Sequence, residues 1–244
     1  MKFSIITPSF NQGKYIQKTI SSVLSQRYGD VEHIVVDGGS TDGTVDILKS
    51  YQHVRWVSES DSGVSDALNK GLAMCTGDVV GWLNSDDYYF DDTVLQVAAE
   101  LMRESNDWVT GGTSKLRDGQ IVLNPYRKIS KRSVFSNCDY LRTPASFYRT
   151  EVLREVGGFD NDLHQAMDYD LYVRLFKRGY VTANTEKTFT VFRIHDDQKT
   201  HLSNLLDQYR EILRINARNG LHVSSLRKSL KFIYQSLYFR LIRE

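Results

Sequence analysis

Short apolar runs alternate with segments of helical periodicity through the first hundred residues of the chain. The apolar runs at residues 3–7, 31–36, 53–57 and 79–83 predict four strands. Between them, apolar positions at helical spacing predict helices at 15–26, after the Gly-rich turn at 37–44, and at 66–74. Strands that alternate with helices of this length indicate a mostly parallel sheet with right-handed crossovers. The expected fold class is therefore α/β, a central sheet flanked by helices.

The regular alternation weakens in the second half of the chain. Helices are expected from 91 or 92 to 102, at 150–156 and at 167–178, and strands at 108–112, 120–123 and 188–194. A turn at Arg117-Asp118-Gly119 joins two of these strands. The tail from 202 to 244 is helical by periodicity, with a break at Asn219-Gly220. We expect one domain over residues 1–200, followed by a helical extension at 201–244.

The fourth predicted strand ends abruptly on an amide and two adjacent carboxylates, Asn84, Asp86 and Asp87. Open α/β sheets bind ligands at the carboxyl ends of their strands, and Asp37, Glu59 and Asp61 also follow strands. Adjacent acids repel each other unless a cation joins them, and hard divalent cations prefer oxygen ligands. These side chains are therefore expected to line one cleft. An acidic turn that caps a helix is the structural alternative.

Composition excludes several classes of protein. The 244 residues are 41% hydrophobic and 25% charged, as in an ordinary soluble protein, and the net charge of +1 argues against a globally basic nucleic-acid binder. Cys75 and Cys138 are far apart and outside metal-ligand spacing, which favours a reducing, cytoplasmic setting. No apolar segment has the length of a signal-peptide core or a bilayer span.

Motif tests narrow the ligand of the expected cleft. The first strand is followed by no Gly-x-Gly-x-x-Gly, and the chain has no P-loop, so a nicotinamide, flavin or P-loop phosphate site is not expected. Asp42-Gly43-Thr44 is interpreted first as a helix-capping turn. Asp37, just beyond a strand end, could accept a hydrogen bond from an N–H group of a base or a sugar.

The chain resembles glycosyltransferase family 2 in an ordered set of motifs over roughly residues 3–195. The motifs that carry the resemblance are Ile5-Ile6-Thr7-Pro8-Ser9-Phe10-Asn11, Val35-Val36-Asp37-Gly38-Gly39-Ser40-Thr41-Asp42-Gly43-Thr44, Asp61-Ser62-Gly63, Asp66-Ala67-Leu68-Asn69-Lys70-Gly71, Leu83-Asn84-Ser85-Asp86-Asp87, Gly157-Gly158-Phe159-Asp160 and Asp168-Tyr169-Asp170-Leu171. One motif alone would be weak evidence, whereas the ordered set is specific.

The resemblance implies a GT-A fold, with a nucleotide-sugar half at about 1–105 and an acceptor half at about 106–200. It also implies inverting, metal-dependent transfer from a nucleotide-sugar, usually a UDP-sugar. Asp37 would then read uracil beside Pro8, Asn84 would face the ribose, and Asp86 would hold Mn²⁺ or Mg²⁺ on the diphosphate with Asp87 beside it. The full set of donor-binding residues expected from the resemblance is Thr7, Pro8, Asp37, Asp66, Asn84 and Asp86.

Two positions depart from the family pattern. Asn84 replaces the first acid of the Asp-x-Asp motif, so metal binding would depend on Asp86, with Asp87 as a further candidate, and on a third group. His195, after the last strand, is the candidate for that group, and a plain packing residue is the alternative. Met167 replaces the Glu of the family's Glu-Asp pair, which leaves Asp168 as the expected general base. Helix capping by Asp168, or Asp170 as the base, are the alternatives.

The tail carries a narrow apolar stripe (Leu226, Leu230, Ile233, Leu237, Leu241) with basic and aromatic residues beside it. Such a helix could rest on an anionic membrane, as suits a lipid-linked acceptor, or pack on the catalytic domain or on a second copy in a homodimer. The expected location is cytoplasmic or peripheral at the inner face of the cell membrane.

Two rival functions are consistent with parts of the sequence. A nucleotidyltransferase would need a basic Gly-rich loop after the first strand, and residues 7–13 do not provide one. An idle glycan- or nucleotide-binding scaffold is suggested by Asn84 and Met167, and Asp86, Asp87 and Asp168 together argue against it. The preferred interpretation is single-sugar transfer in cell-surface polysaccharide or O-antigen assembly, by analogy.

Overall fold

The computed structural model describes residues 1–104, 106–137, 143–195 and 205–221. The first half of the chain has the predicted alternation of strands and helices. Its elements are β1 (Phe3–Ser9), α1 (Ile16–Leu24), β2 (Val31–Asp37), α2 (Thr44–Lys49), β3 (Val54–Ser58), α3 (Val64–Met74), β4 (Val79–Trp82), β5 (Tyr88–Tyr89) and α4 (Val94–Arg103).

The second half is less regular. Its elements are β6 (Trp108–Arg117), β7 (Gln120–Leu123), α5 (Lys131–Asn137), a 3-10 turn (Thr143–Ala145), β8 (Ser146–Arg149), α6 (Thr150–Glu155), α7 (Met167–Lys177), β9 (Thr182–Arg193) and α8 (Leu205–Asn219). The predicted break in the tail is confirmed, because α8 ends at Asn219 and Gly220 has a φ of 66°.

All described strands belong to one sheet with the order β3-β2-β1-β4-β8-β6-β9-β5, and β7 is added to β6. The first four strands are parallel, whereas β8 runs antiparallel to both β4 and β6. The predicted α/β fold class, a mostly parallel sheet flanked by helices, is confirmed. The two halves of the predicted domain share this sheet, since β8 of the second half pairs directly with β4 of the first.

The strand order changes direction at β1, which lies between β2 and β4. In open α/β sheets such a reversal separates the loops that follow the two neighbouring strands and leaves a crevice at their carboxyl ends. Here the crevice lies between the loop after β1 and the acidic stretch after β4. The topology therefore places the candidate site beside Asp86.

The first strand continues through Pro8 to Ser9, two residues beyond its predicted end at Thr7. Pairing of β1 with β4 stops at Ile6, whose carbonyl oxygen accepts the Leu83 N–H (2.9 Å). The backbone hydrogen-bonding groups of residues two apart in a strand point to the same neighbouring strand. The backbone nitrogen of Pro8 therefore points to the side where β4 no longer pairs with β1. Its missing N–H is therefore not needed there, and β1 still pairs with β2 as far as Ser9.

Helices cover both faces of the sheet. On one face, α3, α6 and α7 pack in a core with Trp82, Trp108 and Tyr148, and Ile215 of α8 is fully buried in the same core. On the other face, α4 packs against Phe3 and Phe147, while α1 and α2 enclose a smaller cluster. The helix α8, which lies in the segment predicted as an extension, thus contributes to the same hydrophobic core as α3, α6 and α7.

The sequence pattern missed β5, α5 and β8, and it made three predicted strands too short: β1, β6 and β9. The strand β6 extends to Arg117 because Asp118 and Gly119, with φ values of 49° and 76°, form a two-residue hairpin turn to β7. The predicted last strand begins at Thr182 instead of 188, because its first residues pair with Trp108–Thr110 across an irregular register. Pairing with a neighbouring strand, and not local periodicity, determines the extension of β9.

Among the described residues, none of the helices combines the length and apolar character needed to cross a bilayer. Residues 222–244, on which the predicted membrane or dimer contact depends, lie outside the described residues, as does Cys138.

Glu32 lies near the amino end of β2, at the end of the sheet opposite to the crevice, and is 9% exposed. Its carboxylate joins several segments of the chain through hydrogen bonds. Its carboxylate accepts hydrogen bonds from the Ser4 hydroxyl (2.5 Å), the Thr76 N–H (2.7 Å), Lys2 (3.3 Å) and Arg55 (2.9 Å). Burial alone would raise the pKa of Glu32, but the hydrogen bonds outweigh it and lower the pKa from 4.5 to about 2. The ionised carboxylate therefore stabilises the folded state.

We predict that Glu32→Gln lowers the free energy of unfolding at pH 7 by about 1–3 kcal/mol. Because the folded-state pKa lies below the unfolded one, this stabilisation is complete above about pH 4.5 and is lost as the pH falls towards 2. The difference in the free energy of unfolding between wild type and Glu32→Gln, measured by urea unfolding, should be smaller by roughly 0.8 kcal/mol at pH 4 than at pH 7. Glu100→Gln on the exposed face of α4 is the matched control; a constant gap would contradict the prediction.

Candidate active site

The carboxyl ends of β1, β2 and β3 are joined by main-chain hydrogen bonds. The Gly38 N–H donates to the Ser9 carbonyl oxygen (2.8 Å), and the Glu59 N–H donates to the Asp37 carbonyl oxygen (3.0 Å). The Asp61 carboxylate lies against Gly38, where any Cβ would come within 2.9 Å of Asp61 Oδ2. The polar strand ends therefore meet at one rim, as the sequence pattern predicts.

Asp37 ends β2 with a fully buried side chain. Its Oδ2 accepts the N–H groups of Gly39 (3.2 Å) and Ser40 (2.9 Å) and the Ser58 hydroxyl (2.6 Å). Its Oδ1 accepts the Ser40 hydroxyl (2.5 Å). Four donors match the roughly four acceptor positions of a carboxylate. In the structure Asp37 braces the turn after β2, and its contact with uracil stays a prediction.

Thr7 and Pro8 are buried beneath the rim. The Thr7 hydroxyl lies 2.8 Å from His33 Nε2, and burial lowers the pKa of that imidazole to about 3, so the ring is neutral at ordinary pH. Asp42 Oδ1 accepts the N–H of Thr44, the first residue of α2 (3.1 Å), but the N-cap of α2 is Gly43 and no side chain caps the helix, so Asp42 closes the turn before α2 and is not its cap. Asp42 Oδ2 also accepts the Gly13 N–H (2.8 Å), which ties the loop after β1 to this turn.

The acidic stretch after β4 is braced by its own side chains. Asp87 is 1% exposed, and its carboxylate accepts the Asn84 side-chain amide (3.0 Å) and the Arg193 N–H (3.2 Å). The Thr19 hydroxyl on α1 donates to the carbonyl oxygens of Ser85 (2.8 Å) and Asp87 (2.6 Å). These contacts give Asp87 a structural role, and its assignment as a metal ligand stays a prediction.

Asp86 and His195, 109 positions apart in the chain, lie together at the rim. Asp86 Oδ2 is 3.0 Å from His195 Nε2, and the two side chains are 17% and 10% exposed. Among the described residues, the buried His195 Nδ1 has no hydrogen-bond partner. The structure thus joins the two candidate metal ligands that the sequence places in different halves.

This pair fits a divalent cation. Two ligands at adjacent positions of an octahedral ion, each about 2.1 Å from it, are roughly 3 Å apart. The described part of the chain contains no cluster of three or more His, Cys, Asp or Glu side chains suited to a metal. An ion on Asp86 and His195 would therefore complete its shell with water or phosphate oxygens, as Mg²⁺ usually does.

Two aromatic rings and a guanidinium surround this pair. The Tyr15 ring lies 4.5 Å from the His195 ring, between centroids, and the Arg193 guanidinium lies over the rings of Tyr15 (5.4 Å) and Tyr88 (5.0 Å). Sequence reasoning did not single out Tyr15 or Arg193. Arg193, the last residue of β9, precedes His195 by only two positions, and this closeness in sequence is the signal that could have found it. No sequence signal marks Tyr15.

Asp66 lies in the first turn of α3, where a carboxylate is favoured by the helix dipole. A hydrogen bond from the Ser62 N–H (3.0 Å) lowers the pKa of Asp66, and the charge of Lys70 acts in the same direction. Lys70 also pairs with Glu59 (2.8 Å), beyond the end of β3. Asp66 is thus an ionised carboxylate near the rim, and its contact with the donor stays a prediction.

Asp168 is the second residue of α7 and is half-buried. It is not the N-cap, which is Ala166, although its Oδ1 accepts the Tyr169 N–H of the first turn (2.7 Å). Burial raises the pKa of Tyr172, and the charge of Asp168 nearby acts in the same direction. The alternative that Asp168 is the N-cap residue is therefore wrong, and its role as base stays a prediction.

Asp170 is fully buried and ion-paired. Its Oδ2 accepts from Arg174 Nε (2.7 Å), and its Oδ1 pairs with the Arg218 guanidinium of α8. Arg218 also pairs with Asp160 (2.6 Å). Both oxygens of this buried carboxylate are engaged by guanidiniums and none of its surface is exposed, so an acceptor hydroxyl could not reach it, and the structure favours Asp168 over Asp170.

Known sequences place the chain in a family. The sequence model described as "Glycosyl transferase family 2" matches residues 4–157. A glycosyltransferase of Mycobacterium tuberculosis is 34% identical over 181 residues, which cover 70% of this chain and 67% of the relative. Chondroitin synthase of Escherichia coli is 30% identical over 188 residues, 72% of this chain but only 26% of the synthase.

Known structures show the same fold at low identity. The S. aureus TarS fragment 1–349 in complex with UDP-GlcNAc has a TM-score of 0.74 at 22% identity and covers 92% of this chain and 68% of TarS 1–349. The mannosyltransferase PcManGT from Pyrobaculum calidifontis, in complex with GDP-Man and Mn²⁺, has a TM-score of 0.67 at 18% identity and covers 100% of this chain and 76% of that structure.

We predict that Asp37→Asn lowers the free energy of unfolding by about 1–3 kcal/mol, because the amide keeps one acceptor oxygen but loses the second and the negative charge that strengthens the hydrogen bonds from Gly39 and Ser40. Urea unfolding measures the change. Asp46→Asn on the exposed face of α2 is the control, since its carboxylate is 79% exposed. Unchanged stability together with weakened UDP binding would instead favour the uracil contact.

Proposed function

The chain belongs to glycosyltransferase family 2, and from this premise we propose that it moves a single sugar from a UDP-sugar to a hydroxyl group of a glycan or lipid-linked oligosaccharide. The proposal includes inversion at the anomeric carbon, assistance by Mn²⁺ or Mg²⁺, and Asp168 as general base. The observation that carries it is the pairing of Asp86 with His195 at the rim where the strand order reverses.

Several features support a nucleotide-sugar as the donor. The crevice between the loops after β1 and β4 is the usual ligand position in an open α/β sheet. TarS, which shares the fold, was crystallised with UDP-GlcNAc, and PcManGT with GDP-Man. Asp42 ties the loop after β1 to the turn after β2, and Asp37 holds that turn itself, so these segments do not need a ligand to be held in place. Segments that are already ordered reduce the entropy that binding must overcome.

Asp86 and His195 are the residues that would hold the metal. A divalent cation between them and a diphosphate would stabilise the negative charge that develops on the leaving nucleoside diphosphate. Mn²⁺ in the PcManGT structure supports this assignment. Arg193, whose guanidinium lies over Tyr15 beside His195, adds a fixed positive charge near the same place.

Asp168 would act on the acceptor. As the acceptor oxygen forms its bond to the anomeric carbon, the bond from that carbon to the diphosphate oxygen breaks on the opposite side, and Asp168 takes the hydroxyl proton. Its position is suitable, because α7 begins against α3: the Ser65 hydroxyl donates to the Leu163 carbonyl oxygen (2.9 Å) just before α7. The proposed base thus adjoins the helix that carries Asp66.

The alternative is an idle scaffold that binds glycans or nucleotides without catalysis, suggested by Asn84 and Met167. The structure gives a reason for Asn84 that does not involve lost activity. Its amide donates to Asp87 Oδ2 (3.0 Å), and a carboxylate there would face another carboxylate instead. The amide therefore suits the local hydrogen bonding, and we retain the enzyme as the function.

The setting we propose is cell-surface polysaccharide or O-antigen assembly in the cytoplasm or at the inner face of the membrane. A relative 31% identical over 186 residues, from Mycobacterium bovis, is named a PGL/p-HBAD biosynthesis glycosyltransferase, which supports a cell-envelope product.

We predict that UDP with Mn²⁺ raises the melting temperature of the protein, and that EDTA or Asp86→Ala removes this rise. A ligand that binds only the folded state stabilises it according to its concentration relative to Kd. A thermal-shift screen of UDP, GDP, UDP-GlcNAc and GDP-Man, each with Mn²⁺, Mg²⁺ or EDTA, measures the effect. Asp78→Ala, at the opposite edge and 66% exposed, is the control. No shift with any nucleotide would favour the idle scaffold.

We predict that Asp168→Asn keeps donor binding and lowers turnover by about 10²–10⁴-fold, the usual contribution of a general base. Donor binding is measured by titration calorimetry, and turnover by release of UDP from the UDP-sugar that binds best, with water as the acceptor. The amide of Asn still accepts from the Tyr169 N–H, so the helix start is preserved. Turnover at the wild-type rate would remove Asp168 as the base.

A further inference from the structure

The chain entering α7 is held by a carboxylate from a distant helix. Glu211 of α8 accepts three consecutive main-chain N–H groups, those of His164 (2.9 Å, Oε1), Gln165 (2.9 Å, Oε2) and Ala166 (2.8 Å, Oε2). Ala166 is the N-cap of α7, and no side chain of its own caps the helix. The two sides of this contact are separated by 45–47 positions in the sequence.

Three N–H groups that converge on one carboxylate form a specific clamp. Hydrogen bonds to a charged group are stronger than neutral ones, and successive N–H groups directed at one point bind anions well. The adjacent helix N-terminus also favours a negative charge. Because one side chain accepts all three donors, Glu211 fixes the path of residues 164–166.

This path determines where Asp168 lies, because Asp168 follows Ala166 by two residues. Further contacts hold the same region: the Ser65 hydroxyl of α3 binds the Leu163 carbonyl oxygen, and the Tyr169 hydroxyl lies 2.7 Å from Asn216 Oδ1 of α8. The start of α7 is therefore held between α3 on the donor side and α8 on the other. Of these three contacts, that of Glu211 is the one that binds all three residues directly before α7.

We propose that Glu211 is a positioning residue, which holds Asp168 in the orientation needed to take the acceptor proton. The proposal rests on the function proposed above, in which Asp168 is the base. Glu211 touches neither substrate nor the reacting atoms in this assignment. It acts through the backbone of residues 164–166, so its loss should affect the chemical step more than donor binding.

We predict that Glu211→Ala lowers kcat by about 10- to 100-fold, because a displacement of about 1 Å in a catalytic group can cost 10²-fold. The KM and Kd of the donor should stay within about twofold, since the Asp86–His195 rim is not touched. Turnover is measured as UDP release from the best-binding UDP-sugar, at a fixed interval below the melting temperature of each variant. Hydrogen exchange at the amides of His164, Gln165 and Ala166 should accelerate at the same time.

Two variants separate positioning from general loss of stability. Glu211→Gln keeps one carbonyl oxygen as an acceptor, and its kcat should lie between those of wild type and Glu211→Ala. Asp207→Ala removes another carboxylate of α8, one that is 61% exposed and pairs with Arg210 on the same helix, and should leave kcat unchanged.

The outcomes distinguish this inference from the proposed function. Wild-type kcat in Glu211→Ala, with Asp168→Asn inactive, would overturn the role of Glu211 and leave the base in place, whether or not hydrogen exchange accelerates. The positioning role would also be overturned if Glu211→Ala lowered kcat and raised the donor KM by similar factors and Glu211→Gln restored neither. That result would mean that Glu211 only stabilises the fold. Full turnover in Asp168→Asn would instead overturn the base itself.

Discussion

The structure depends on how it accommodates carboxylates that a parallel sheet brings to one rim. Unpaired acids at short distance repel each other and would destabilise the fold. The chain resolves this by enclosing most of them in hydrogen bonds: Asp37 accepts four donors, Asp42 binds Gly13 and Thr44, and Asp87 is held by Asn84 and Arg193. Asp86 is paired with an imidazole, which can share a cation with it. The hydrogen-bonded acids thus hold the loops of the rim in place, and Asp86 is the carboxylate that we propose for metal binding.

The two halves of the enzyme meet through shared elements instead of a linker. Strand β8 pairs with β4 of the first half and with β6 of the second half, so one sheet continues through both. His195, which follows β9, lies beside Asp86 of the first half. The start of α7 is likewise shared, by Ser65 of α3 and Glu211 of α8. Donor and acceptor groups can therefore be held in fixed relation, which proximity effects in catalysis require.

Local pattern was sufficient wherever a segment carried its own signal. The four parallel strands, the helices between them and the Asp118-Gly119 hairpin follow from apolar periodicity and turn chemistry. It failed for β8 and β5, whose two to four residues carry no periodicity, and for the ends of β1 and β9, which depend on which neighbour continues to pair. Asp86 and His195 were found from sequence, whereas Tyr15, Arg193 and Glu211 are defined by contacts across 45 positions or more.

The sequence by itself determined the fold class, the family and the residue types at the rim. Periodicity, the order of the motifs and the acids at strand ends can all be read along the chain without knowing which residues are in contact. Only the tertiary structure decided what each acid does. The same side chain has a different partner at each position. Asp37 accepts four donors, Asp86 pairs with an imidazole and Asp87 accepts an amide. Asp168 accepts an N–H of a helix turn, and Asp170 pairs with two guanidiniums. A carboxylate takes its role from the donors and charges around it, and the fold brings those from distant positions.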